Sequence, residues 1–200
     1  MLHNLLNGYE LVLASASPRR QEIFNMLGLN PLVVVSDVHE PIDHRPPYTL
    51  VCTHAKHKAL SVASRFSSSA VIVAADTLVQ VEGLVLGKPQ TKEDAKRYLE
   101  MLSGKSHQVY TGVCILHKSM QLTKYAKSIV TFQKMIESEI HDYVETKEPA
   151  DKAGAYGIQG YGCQFITGIR GCYFNVMGFP VNLFYSMIKE LLQPPLNKEI

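Results

Sequence analysis

The spacing of apolar positions changes period along the chain, and this change predicts alternating strands and helices. Residues 10–15 form a short apolar run typical of a strand, and Pro18 directly after Ser17 favours a helix that starts there and stops at Gly28. The next elements follow the same alternation: a strand over 32–36, a proline-rich loop over 37–47 and a helix over 48–66. A strand, a tight turn and a helix therefore open the fold.

Residues 71–75 are apolar without interruption and are followed by Asp76. Such a run predicts a strand that is covered on both faces and ends at Asp76. Strands of this kind present ligands at their carboxyl ends, so Asp76 is expected where an active site forms. Glu82 and Gly83 then predict a hairpin turn between short strands over 78–81 and 84–86.

The second half of the chain continues the alternation, with an antiparallel portion in the middle. Thr91 with Asp94 resembles a capping box that opens a helix ending before Ser103. The later elements are paired strands over 109–117 and 125–135, a helix over 137–146, a strand over 164–169 and an amphipathic helix over 180–192. No repeat or flexible linker divides the chain, so the pattern predicts one α/β domain over residues 1–200.

Composition and charge narrow the functional classes. A formal net charge of +2 is too weak for a general nucleic-acid binder, which needs a basic stripe along its surface. The first residues lack a signal-peptide pattern, and no stretch approaches the roughly 20 apolar residues of a membrane span. We therefore expect a cytoplasmic protein with neither a membrane nor a nucleic acid as partner, and any anion site must be local.

The sequence Ser-Ala-Ser-Pro-Arg-Arg at 15–20 is the most informative local feature. Arg19 and Arg20 place two cations in the first turn of a helix, where they oppose the helix dipole. An anion bound by the helix N–H groups, the hydroxyls of Ser15 and Ser17 and both guanidinium groups removes this conflict, and phosphate is the natural candidate. The alternative is that both arginines point into solvent, which costs at most about 1 kcal/mol.

Two lysines are further candidates for an anion site. On a helical wheel Lys58 lies at the margin of an apolar stripe, so its ammonium is aimed towards the interior. Lys88 precedes Pro89 at the end of the predicted hairpin. For both lysines the alternative is a side chain whose stem covers apolar surface while its ammonium stays in water.

Glu40, in the loop before the long helix, and Asp76 are the acidic candidates near these cations. Together they suit Mg²⁺, which prefers a few carboxylates, several waters and substrate phosphate oxygens. Glu40 is alternatively a solvated loop acid and Asp76 a helix cap, although a carboxylate after an apolar strand needs partners to stay charged.

Residues 151–160 include three glycines, which let backbone approach a ligand closely. Tyr156 and Gln159 in this segment are candidates to contact a base, by stacking and by amide hydrogen bonds. A merely tight turn is the alternative. The histidines, including His54 and His107, show no metal-ligand spacing and are interpreted as surface or core residues.

Four ordered segments carry a resemblance to a known family: residues 13–20 (LASASPRR), 74–77 (AADT), 87–89 (GKP) and 147–160 (KEPADKAGAYGIQG). Through them the chain resembles the Maf family of nucleoside triphosphate pyrophosphatases over about residues 10–192. The resemblance implies a Maf/ITPase-like α/β fold, in which a mixed, strongly twisted sheet is flanked by helices and a cleft separates two lobes.

The resemblance also implies the chemistry, which is hydrolysis between the α and β phosphates to a monophosphate and pyrophosphate. It further implies a divalent metal (Mg²⁺, or Mn²⁺ or Co²⁺) and a homodimer. The family's roles fall on matching residues here: the phosphate-gripping turn on Ser15, Arg19 and Arg20, the two lysines on Lys58 and Lys88, the loop acid on Glu40, and the proton acceptor on Asp76. Asp76 is expected to act as base or as metal ligand, with Glu40 helping to hold the metal.

The positions that read the base separate two subgroups of this family. Arg19, Thr77 and Gln159 match the subgroup that acts on dTTP and UTP. We therefore expect dTTP, UTP and related modified pyrimidine nucleotides as substrates. The alternatives are a 7-methyl-GTP pyrophosphatase of the same family and a non-catalytic nucleotide-binding regulator of cell division.

Overall fold

A seven-stranded mixed sheet forms the centre of the protein. The structure is a computed structural model and describes residues 1–193. The strands are β1 (Leu11–Ala14), β2 (Leu32–Val34), β3 (Val71–Val81), β4 (Leu84–Leu86), β5 (Ser106–His117), β6 (Met120–Phe132) and β7 (Ile166–Arg170). Their order is β2-β1-β3-β5-β6-β7, with β4 paired to β3. The pairs of β1 with β2 and β3 are parallel, and the others are antiparallel.

Helices lie on both faces of this sheet. They are α1 (Leu2–Leu5), α2 (Pro18–Met26), α3 (Pro47–Ala63), α4 (Lys92–Leu102), α5 (Glu137–Glu145), α6 (Tyr173–Met177) and α7 (Val181–Leu192), with 3₁₀ turns at Glu148–Asp151, Ala153–Ala155 and Gly160–Phe165. No helix within residues 1–193 is both long and apolar enough to cross a bilayer.

The predicted class, a mixed α/β sheet flanked by helices, is confirmed. The predicted helices and strands are present with shifted ends, and Thr91 caps α4 by accepting a hydrogen bond from the Asp94 amide at 3.0 Å. The short helices α1 and α6 were not predicted, because neither has enough turns to show a period. The single domain over 1–200 stays a prediction, and residues 194–200 lie outside the described part.

The prediction that a strand ends at Asp76 is wrong. β3 runs through Asp76 to Val81, because antiparallel pairing with β5 continues across it and sets Asp76 opposite Gly112. Residues 78–81, which were predicted as a separate first strand of the hairpin, are the second half of β3. Local sequence does not reveal this, since the pairing that extends β3 comes from residues about thirty positions later.

The other edge of β3 changes partner near Asp76. Its first half pairs with β1 as far as Ala74, and pairing with β4 begins at Val79. Among the described residues no strand pairs with this edge between those points. The sheet therefore has a notch beside the carboxyl end of β1, and Asp76 lies in it.

Alternation along β3 sends neighbouring side chains to opposite faces. Val73 belongs to the core cluster with α2 and α7, whereas Ala74 packs in the cluster with α3. The same alternation turns Asp76 towards α3 and Thr77 towards α2. Gly112 on β5 allows α3 to lie close to the sheet, since a Cβ there would overlap the backbone of Val51.

Candidate active site

A cleft of about 370 Å³ opens at the notch in the sheet. It is lined by the turn between β1 and α2, the loop before α3, the middle of β3 and the 3₁₀ segment after α5. All the predicted site residues except Gln159 line it: Ser15, Ser17, Arg19, Arg20, Glu40, Lys58, Asp76, Thr77 and Lys88. Segments far apart in sequence therefore present their polar groups to one space.

The start of α2 forms one wall of the cleft. Pro18 is the first helical residue, and the Ser17 side chain makes no capping hydrogen bond. The Ser17 amide instead donates to Ser15 Oγ at 3.1 Å. No acidic residue lies in the first turn, so the positive end of the helix dipole and the two arginines act in the same direction. This wall attracts anions.

Arg20 is buried, at 8% exposure, and all its described partners are neutral. Its guanidinium donates to Gly178 O at 2.8 Å, Ser15 Oγ at 3.2 Å and Thr77 Oγ1 at 3.1 Å. Burial lowers the pKa of Arg20, although the charges of Asp76 and Glu40 oppose this shift. A buried cation with no carboxylate in salt-bridge contact among residues 1–193 is an electrostatic site for an anion.

The remaining cations lie nearer the rim. Arg19 Nη1 lies 3.1 Å from Asp151 Oδ2, which bridges α2 and the 3₁₀ segment across the cleft. Asp151 is also 2.7 Å from the ammonium of Lys152. Lys88 is exposed and also lines the cleft. Arg19 is therefore already paired with a protein carboxylate, and an anionic ligand would compete with Asp151 for its guanidinium.

Asp76, Lys58 and Glu40 meet at the floor of the cleft. Lys58 Nζ donates to Asp76 Oδ1 at 2.9 Å and also contacts the Glu40 carboxylate. The side chains of Lys58 and Asp76 are 12% and 9% exposed. The interior direction predicted for Lys58 is confirmed, and two carboxylates share one cation there.

His54, which was interpreted from the sequence as a surface or core residue, is buried behind the floor and contacts Asp76. His54 Nδ1 donates to Asp76 Oδ2 at 2.9 Å, and Nε2 lies 3.1 Å from the Pro41 carbonyl oxygen. His54 precedes Lys58 by about one helical turn and shares its face of α3. The helical wheel that predicted an inward Lys58 could therefore also have predicted an inward His54. Burial opposes protonation of His54, but the hydrogen bond with Asp76 and the charges of Asp76 and Glu40 raise its pKa.

The same contacts determine the protonation state of the Asp76 carboxylate. Burial favours its neutral form, yet the hydrogen bond from His54, the charge and hydrogen bond of Lys58 and the charge of Arg20 hold its pKa well below the usual range. Asp76 is therefore a fixed negative charge at neutral pH.

The candidates for base recognition lie in different settings. Thr77 Oγ1 is engaged by Arg20 and lies 3.0 Å from Thr111 Oγ1. Tyr156 lines the cleft but is buried, with its hydroxyl 2.7 Å from His107 Nε2. Gln159 is exposed and is not among the residues that line the cleft. The structure thus brings Thr77 to the wall of the cleft that carries Arg20 and leaves Gln159 outside the cleft.

Metal-ligating side chains are sparse in the described part of the chain. No group of three or more His, Cys, Asp or Glu residues among residues 1–193 is placed to hold a metal ion. The carboxylates of Glu40 and Asp76 nevertheless converge on one cation, the Lys58 ammonium. Two carboxylates facing an open polar cleft fit the donor set that Mg²⁺ shares with waters and phosphate oxygens.

Comparisons with known proteins agree over nearly the whole chain. The family model described as "Maf-like protein" matches residues 10–191. A relative from Bacillus anthracis, named dTTP/UTP pyrophosphatase, is 43% identical over 185 residues, 92% of this chain and 95% of the relative. One from Bacillus cereus with the same name is 43% identical over 188 residues, 94% of this chain and 91% of the relative. Among solved structures, the Staphylococcus aureus Ham1 protein has a TM-score of 0.49 at 15% identity, covering 90% of this chain and 98% of that chain.

Proposed function

Because the chain belongs to the Maf-like protein family, we propose that it hydrolyses dTTP, UTP and related modified pyrimidine nucleotides to the monophosphate and pyrophosphate. One observation carries this proposal. Four cationic side chains from separate segments line a single cleft: Arg19, Arg20, Lys58 and Lys88. A triphosphate carries enough negative charge to engage all four.

The phosphate chain is assigned to the wall formed by α2. The buried guanidinium of Arg20 has only neutral partners, so a phosphate oxygen supplies the missing negative charge. Arg19 exchanges Asp151 for phosphate as the substrate enters. Lys88 is assigned to the same phosphate chain because it lines the same cleft.

The reaction is attack of water on the α phosphorus. The oxygen of the water stays on the monophosphate, the bond between the α phosphorus and the bridging oxygen breaks, pyrophosphate leaves and a proton passes to solvent. Charge develops on the leaving pyrophosphate, and Arg20 and Lys58 would offset it. Both Asp76 oxygens already accept hydrogen bonds from Lys58 and His54, which favours a role in holding a cation over a role as proton acceptor.

A divalent metal is part of the proposal, with Mg²⁺ as first choice and Mn²⁺ or Co²⁺ as substitutes. Glu40 and Asp76 would hold it, because their carboxylates already converge on one cation. When bound, the metal neutralises charge on the phosphates and polarises the reacting centre.

The choice of base rests on the relatives named dTTP/UTP pyrophosphatase and on the matching residues Arg19, Thr77 and Gln159. From the same resemblance we propose a homodimer that works in the cytoplasm. Analytical ultracentrifugation of the purified protein and cell fractionation would test these two points.

The deciding experiment measures pyrophosphate release from a panel of nucleotides, each with Mg²⁺, Mn²⁺ or Co²⁺. The panel holds dTTP, UTP, 5-methyl-UTP, CTP, ATP, GTP and 7-methyl-GTP. We expect the uracil and thymine nucleotides to have the highest kcat/KM. Preference for 7-methyl-GTP would contradict the proposed substrate. Nucleotide binding without hydrolysis would contradict the proposed enzymatic activity and favour a regulator.

A further inference from the structure

His54 is a buried histidine to which the proposed reaction gives no part. It is 1% exposed and lies on the face of α3 that also carries Lys58, four positions later. Both side chains reach the same carboxylate, one at each oxygen of Asp76. The two donors therefore leave Asp76 no freedom to rotate about its terminal bond.

The second nitrogen of the His54 ring faces a different segment. Nε2 lies 3.1 Å from the carbonyl oxygen of Pro41, and Pro41 directly follows Glu40. The ring therefore joins the strand that carries Asp76 to the loop that carries Glu40. Within residues 1–193, the other contact that joins Glu40 to this cluster is its ion pair with Lys58.

We propose that His54 is a positioning residue that holds the carboxylates of Asp76 and Glu40 in register by bonding to Asp76 through Nδ1 and to the Glu40 loop through Nε2. The inference rests on the proposed function, in which these two carboxylates would hold the divalent metal. Residues that orient the ligands of a metal or a reacting group govern rate through geometry rather than through contact with substrate.

Another buried histidine shows that a core position does not by itself produce such a bridge. His107 is also 1% exposed, but only its Nε2 has a partner, the Tyr156 hydroxyl, and its Nδ1 has none among the described residues. At His54 each nitrogen faces an acceptor, Asp76 Oδ2 on one side and the Pro41 carbonyl oxygen on the other, so the two hydrogen bonds together require a proton on each ring nitrogen.

Three substitutions separate the two hydrogen bonds. His54→Leu fills a similar volume with an apolar side chain and removes both hydrogen bonds. His54→Asn retains an N–H donor near the position of Nδ1, within reach of Asp76, and His54→Gln retains one near the position of Nε2, within reach of Pro41. His57→Leu is the matched control, because His57 is exposed on the same helix.

The first readout is steady-state hydrolysis of dTTP. His54→Leu is expected to lower kcat by about 10- to 100-fold, with KM nearly unchanged, because Arg19, Arg20 and Lys88 still bind the phosphates. His54→Asn should recover part of the lost kcat. A role in packing alone predicts the reverse order, with the apolar leucine the better substitute for a buried ring.

The second readout needs no substrate. Hydrogen exchange of the peptide covering residues 37–46 is measured in the free protein by mass spectrometry. Exchange should be faster in His54→Leu and His54→Asn, which lose the bond to Pro41, and near wild type in His54→Gln and His57→Leu. Thermal melting confirms that each variant is folded, and the Asn and Gln variants keep the test valid if the leucine variant is not.

The outcomes distinguish this inference from the function on which it rests. A wild-type protein that hydrolyses no nucleotide overturns the proposed function, while loop exchange still reports on the bridge. An active wild type whose His54 variants all keep its kcat and its loop exchange overturns the positioning role.

Discussion

Lys58 Nζ lies 2.9 Å from Asp76 Oδ1, and the same ammonium contacts the carboxylate of Glu40. A helix, a strand and a loop therefore meet at one partly buried cation. Charges fixed in this way need no reorganisation when a ligand arrives. The function of the floor should thus depend on the charge of Asp76 and not on its volume.

Replacing Asp76 with Asn tests this dependence. The amide has nearly the same shape but no charge, so Lys58 and His54 lose their shared anion and one of them faces an NH₂ group that cannot accept its hydrogen bond. We expect kcat for dTTP to fall by about 100-fold or more, with secondary structure retained by circular dichroism. Asp43→Asn is the control, because Asp43 belongs to the loop before α3 but forms an exposed pair with Arg45. Near-normal turnover in Asp76→Asn would show that the charge of Asp76 is not needed for the reaction.

The parts of this site that sequence predicts are the local ones. The Ser-Pro-Arg-Arg turn is specified by a proline at the first helical position and by adjacent arginines, and α2 begins where predicted. Helical periodicity alone indicates that Lys58 points inward. In both cases the information lies within one or two turns of the chain.

The non-local parts could not be predicted from patterns. Asp76 lies inside β3 because pairing with β5 continues past it, and its other edge is open because pairing with β1 ends at Ala74. Neither pairing can be predicted from residues 71–81 alone. The role of His54 depends on the Pro41 carbonyl, which a side-chain pattern does not contain. Motif spacing can identify the participants of such a site, but not its hydrogen bonds.

Arg20→Lys tests the anion site. The guanidinium donates in three directions to neutral oxygens, and a lysine ammonium on a flexible stem does not reproduce that planar arrangement. We expect affinity for inorganic pyrophosphate, measured by calorimetry, to fall about tenfold, equivalent to about 1.4 kcal/mol. Arg97→Lys is the control, since Arg97 forms an exposed pair with Asp94. Equal pyrophosphate affinity in wild type and Arg20→Lys would place the anion elsewhere.

Gly112→Ala tests whether the close approach of α3 to the sheet builds the floor of the cleft. A Cβ at Gly112 would overlap the backbone of Val51 and lie 2.8 Å from the Cys52 nitrogen. Relief requires α3 to move, which withdraws His54 and Lys58 from Asp76. The free energy of unfolding should fall by about 1–3 kcal/mol, and kcat should fall with it.

The control for this substitution is Gly168→Ala, because a Cβ at Gly168 meets no atom within 4 Å. Denaturant unfolding and dTTP turnover are measured on both variants. If Gly112→Ala behaves like Gly168→Ala, the helix is not held by that contact, and the floor is assembled in another way.

His107 predicts how stability depends on pH. Burial lowers the pKa of His107 to about 4, and its ring packs edge-on to Phe132 and Tyr156 with centroids 5.1 Å away. The unfolded chain takes up a proton at this histidine near the ordinary histidine pKa of 6.5, whereas the folded protein does so only near 4. The stability that neutral His107 provides is therefore complete above 6.5 and is lost as pH falls from 6.5 to about 4.

Between these limits His107 should contribute a slope of about 1.4 kcal/mol per pH unit to the free energy of unfolding. His107→Gln removes the titration while keeping an amide that can bond to the Tyr156 hydroxyl. Urea unfolding at a series of pH values should show wild type losing roughly 3 kcal/mol more than the variant on acidification. The other titrating groups are common to both proteins and cancel in this difference. Parallel stability curves for the two proteins would mean that His107 takes up its proton at the same pH in the folded protein as in the unfolded chain, and that burial does not lower its pKa.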